Sequence, residues 1–116
     1  MSDDRPASEP SFVVDPFDLA LMSEDPTATP QTSDHLLDES ADGRVLRGIW
    51  ECEPGVAEDI EEDELFVVLS GRATVDLLSG QRLELRPGSV GILRRGERTR
   101  WTVHETLRKA YQITLP

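Results

Sequence analysis

An all-β fold, a sandwich, jelly roll or barrel, is what this sequence predicts, and two observations predict it. After Gly43, apolar and polar residues alternate over short stretches, as in Ala73, Val75 and Leu77 against Thr74 and Asp76, or Leu83 and Leu85 against Arg82, Glu84 and Arg86. Turn-forming residues separate those stretches, at Pro54-Gly55, Gly71, Ser79-Gly80, Pro87-Gly88 and Arg95-Gly96. Strands are accordingly predicted at 44–52, 64–70, 74–78, 82–86, 90–93, 100–103 and 108–115. So many short strands at this spacing imply packed antiparallel sheets rather than an α/β fold.

The first 42 residues read differently. Residues 1–10 are polar, charged and proline-containing, and are expected to be disordered. Residues 11–42 offer the apolar anchors "SFVVDPFDLALM" and "HLLD", but prolines at 16, 26 and 30 interrupt any long helix. An extended acidic arm with one short helical turn is expected, docked on a domain of residues 43–116.

A chain of 116 residues supports one core, so any site must lie inside that core or between subunits. The single cysteine, Cys52, excludes an intrachain disulfide, and "MSDDRPASEP" lacks the basic and then apolar regions of a secretory signal. A cytoplasmic protein is expected. No apolar run approaches the roughly 20 residues that cross a bilayer. The net charge of −11 would repel phosphates, which argues against nucleic-acid and anionic-membrane partners. Most of that charge is local, since residues 1–43 carry a net −10 and residues 44–116 a net −1.

Four segments, "GIWECEPG" (48–55), "EDELFVVLSG" (62–71), "LRPGSVGILRRGERTRWTV" (85–103) and "ETLRKAYQI" (105–113), resemble the small single-domain cupins related to ureidoglycine aminohydrolase. The resemblance implies an RmlC-like jelly-roll barrel, the double-stranded β-helix of cupins, carrying the acidic arm. Cupins typically carry H-x-H, three or four residues, E, six residues, G, and then P-x-G-x-x-H-x-x-x-N. Counting back from Gly71 places Glu64 at the glutamate. Glu58 and Ile60, or Ala57 and Asp59, fall where the first two histidines would stand, and Thr99 takes the place of the third. Imidazole is what lets cupins hold transition metals. Glu58 and Glu64, with Asp59, would suit only a hard cation such as magnesium, manganese or calcium. No cofactor is therefore expected, and a metal-free pocket is preferred.

Within the implied barrel, Glu64 shares a strand face with Phe66 and Val68, which aims its carboxylate at the cavity mouth. Lys109 has the parity of Tyr111 and Ile113 on the last strand, and a buried Glu64–Lys109 pair would serve as a substrate handle or a proton-transfer pair. A purely structural ion pair is the competing reading. Trp101, Tyr111, Thr99 and Phe66 are the candidate ligand-binding residues, although aromatic side chains in small β domains commonly do no more than fill the core. Trp50 stands under the same two readings. The run "RRGERTR" (94–100) could grip an anion, but it is better explained as neutralising the acidic run 58–64, which is read as a solvated loop at the barrel mouth.

Two functions follow. The first is a cytoplasmic cupin binding a small polar, nitrogen-containing metabolite, with amidohydrolase or isomerase-like chemistry as the resemblance implies. The second is a non-catalytic sensor or dimeric interaction module. A homodimer is expected under either, because edge strands of small cupins pair between subunits.

Overall fold

A computed structural model describes residues 10–116, so the expectation for the first ten residues falls, but for Pro10, outside it. The described chain is all-β. Eight strands run in order: β1 (Met22–Ser23), β2 (Thr32–Glu39), β3 (Val45–Cys52), β4 (Gly55–Ile60), β5 (Asp63–Leu77), β6 (Arg82–Leu85), β7 (Val90–Leu93) and β8 (Arg98–Thr114). All pair antiparallel in one sheet ordered β1-β2-β3-β8-β5-β6, with β4 added on β8 and β7 on β5.

Two long strands organise the rest. The sequence predicts breaks at Gly71 and in the turn holding His104, yet β5 runs through 15 residues and β8 through 17. The two stay paired from Asp63↔Thr114 to Leu77↔Thr99, with register shifts between Val68 and Ala73. Gly71 permits this as a bulge. Its φ of +87° is one that L side chains rarely adopt, and a Cβ there would strike the Thr106 carbonyl. A glycine inside an alternating pattern thus bends a continuous strand instead of ending it. His104 sits within β8, its Nε2 2.9 Å from Thr74 Oγ1.

Strands β2 and β4 are the other departures. Residues 55–60, read from the sequence as turn and solvated loop, form β4 because each faces a β8 partner, with Glu58 opposite Arg100. Cross-strand opposite charges favour that register. Residues 32–39 pair along β3 despite their acidity. No helix occurs among the described residues, so the expected helical turn in the arm is absent.

The inward faces of both halves meet over one core. Phe66, Val68, Ala73, Val75 and Leu77 of β5 pack with Trp101, Val103 and Leu107 of β8, together with Cys52, Leu85 and Leu93. Burial pushes the Cys52 thiol up to about 11, which leaves it a packing group rather than a nucleophile. Ile49 faces the opposite way yet is only 2% exposed. The arm covers that outer side: Pro16 O accepts from Arg108 Nη1 at 2.7 Å, and His35 Nδ1 lies 3.1 Å from Ala20 O. Past β1 the chain brings Glu24 round to the inner face of β3, where its Oε1 accepts from Trp50 Nε1 at 2.9 Å.

Candidate functional site

Register alone gathers the inward polar groups. Trp50 of β3 lies opposite Lys109 of β8, which lies opposite Val68 of β5, and Glu64 precedes that position by two inward steps. Ala57 of β4 faces Trp101. The result is a cavity of 340 Å³ whose charged lining is Glu24, Glu58, Asp59, Glu61, Glu64 and Lys109, walled by Trp50, Trp101 and Tyr111.

At its floor, Lys109 Nζ donates to Glu64 Oε2 at 2.6 Å, with the two side chains 8% and 5% exposed. The same ammonium lies 4.6 Å from the Trp50 ring centroid, 4.8 Å from Trp101 and 5.1 Å from Phe66. Three aromatic faces and one carboxylate therefore hold the charge. Cation–π contacts of this kind strengthen where water is excluded. The rings brace one another, Trp101 standing 6.0 Å from both Trp50 and Phe66.

Glu61 forms a second buried acid. Its Oε2 accepts from Trp101 Nε1 at 2.9 Å and from Thr99 Oγ1 at 2.8 Å, while burial holds its carboxyl above the usual range against those two bonds. On the far wall the Tyr111 hydroxyl donates to Asp34 Oδ1 at 2.6 Å. Burial and that carboxylate raise the phenol well above its ordinary value, and burial also raises Asp34.

The sequence candidates thus divide. Glu64, Lys109, Trp101 and Tyr111 line one cavity. Phe66 and Thr99 stand behind its wall, Phe66 beneath the ammonium and Thr99 anchoring Glu61. Glu58 reaches the rim, but its carboxylate takes Arg100 Nη2 at 2.9 Å on the exposed side. Arg95 stands 3.9 Å from Glu62, so part of the basic run does face the acidic one. Sequence reasoning singled out neither Glu61 nor Glu24. Glu61 falls in the two-residue connection between β4 and β5, where alternation gives no direction, and Glu24 arrives from the arm.

The histidine positions of a cupin metal centre carry no matching donor set. Ile60 is 58% exposed, Glu58 is held by Arg100, and Glu64 is bonded to the Lys109 ammonium. Among the described residues no three His, Cys, Asp or Glu side chains are grouped to hold a metal ion.

Comparison with known proteins gives the context. Residues 39–111 match the EutQ-like cupin domain. Among solved structures, the Clostridium difficile EutQ protein is 16% identical with a TM-score of 0.65, covering 75% of this chain and 70% of that one. A protein of unknown function from Acidithiobacillus ferrooxidans is 25% identical (TM-score 0.63, 80% and 89% covered). A DUF861-family protein from Thermotoga maritima is 29% identical (TM-score 0.54, 56% and 75% covered). No curated protein matches. No helix among the described residues is long and apolar enough to cross a membrane.

Proposed function

The chain belongs to the EutQ-like cupin family, and from that premise we propose that it binds a small polar, nitrogen-containing metabolite inside a jelly-roll barrel, without the histidine-bound metal usual to cupins. One observation carries the reading: the buried Glu64–Lys109 pair, though packed among three aromatic rings, lines the 340 Å³ cavity. A buried ion pair is a poor device for stability alone, since apolar replacements of similar volume commonly match it. Convergent polar groups between aromatic walls are the ordinary makings of a small-molecule site. The resemblance to ureidoglycine aminohydrolase adds a nitrogenous substrate class and, where chemistry follows binding, proton transfer between Glu64 and the ligand with Lys109 holding its charge.

The indole N–H signals of Trp50 and Trp101, the chain's two tryptophans, provide the test. A library of polar metabolites added to ¹⁵N-labelled protein is expected to contain compounds that move both signals saturably. A library that moves neither would overturn the reading. Native protein purified without chelator should carry far less than one iron, nickel or zinc per chain, and a stoichiometric amount would overturn the metal-free part.

A homodimer is part of the same proposal. Leu65 opposite Ile92 and Val67 opposite Val90 leave four apolar side chains, each at least 37% exposed, together on the outer face of β5 and β7. A second copy of the chain is the occupant proposed for them.

A further inference from the structure

The internal pairings of the cavity leave an imbalance. Lys109, its one cation, is bonded to Glu64, and the carboxylate of Glu58 is bonded to Arg100. Three carboxylates remain whose only hydrogen-bond partners among the described residues are neutral. Glu24 accepts from the Trp50 indole, Asp59 from the backbone N of Ile60, and Glu61 from the Trp101 indole and the Thr99 hydroxyl.

Two of the cavity's acids also have an oxygen to spare. Glu61 and Glu64 are 6% and 7% exposed, and every hydrogen bond that either accepts from the described residues falls on Oε2. Their Oε1 atoms have no such partner, and neither is sealed among protein atoms without one. Both oxygens are thus left open to the cavity, where a ligand's N–H groups can take the place of water.

We propose that the cavity selects a small organic cation, a primary ammonium or a guanidinium, whose N–H groups donate to Glu61 and Glu64 while its carbon chain lies against the walls that Trp50 and Trp101 form. Glu24, carried in on the arm, completes the negative rim. A carboxylate or phosphate ligand meets the opposite situation: one cation, already bonded, among several acids. Like charges set this way discriminate by repulsion as well as by attraction. The volume of 340 Å³ limits the ligand to the size of a single amino acid or a short diamine.

This inference rests on the cavity reading above, and its test separates the two. Four probes of matched length, n-butylammonium, n-butylguanidinium, butyramide and butyrate, are titrated at constant ionic strength while tryptophan fluorescence is followed. The two cations should give saturable changes with millimolar Kd values, and butyrate none. Glu61→Gln keeps an amide oxygen for Trp101 and Thr99, and should weaken cation binding about tenfold. Glu24→Gln, on the exposed arm, should weaken it severalfold without touching the core. Binding of butyramide or butyrate as tight as that of the cations would overturn the cation inference and leave the cavity reading standing. Cation binding unchanged in both variants would also overturn it. No saturable change with any probe would overturn the cation inference, and the metabolite library then decides the cavity reading.

Discussion

At the scale of single residues, the pair Lys109–Glu64 is the most exacting feature of the molecule. Two charges this deeply buried stabilise only while each has the other, and removing one leaves the second uncompensated. Glu64→Gln should therefore cost about 3 kcal/mol or more in denaturant unfolding, and an unchanged midpoint would show that the pair is not formed. Glu61 makes a different prediction. Burial lifts its carboxyl above the ordinary 4.5, so the folded protein keeps that proton to higher pH than the unfolded chain does. Its stability contribution is full below about 4.5 and is lost as pH rises through the folded value. Glu61→Gln should flatten that part of the stability–pH curve, and a slope equal to the parent's would refute the assignment. Glu64 and Lys109 were legible in the sequence because both lie on strands where parity fixes direction. Glu61 was not, since six acids among the seven residues 58–64 look alike until Thr99 and Trp101 single one out.

At the scale of elements, alternation located every strand that has a buried face, and glycine obscured how they join. Gly71 reads as a turn because its neighbours alternate on either side, yet the hydrogen-bonded partner strand β8 has no break to match. Only the pairing reveals a bend. Gly71→Ala should destabilise by more than the roughly 1 to 3 kcal/mol of a left-handed non-glycine residue, because its Cβ would also meet the Thr106 carbonyl. A loss under about 0.5 kcal/mol in equilibrium unfolding, of surface-substitution size, would contradict the bulge. Strand β4 was hidden for an electrostatic reason. Its acids suggest solvation until the arginines of β8 lie across from them, as Arg100 does from Glu58.

For the whole molecule, charge and shape are shared unequally between the two ends of the chain. The arm carries most of the net charge, covers one outer face and delivers Glu24 to the cavity. The outer face of β5 and β7 is left apolar, and light scattering at micromolar concentration should accordingly report a dimer; a monomer mass would refute the association. One consequence of the long strands concerns hydrogen exchange. Strand β8 is bordered by β3 and β4 on one side and by β5 on the other, so no edge of the sheet can fray it open. Its amides near Leu107 to Tyr111, flanking the ammonium of Lys109, should exchange with deuterium only when the entire protein unfolds. The floor of the cavity is then its most slowly exchanging part, and the rim that Glu24 helps to form is free to open many times before the floor does once.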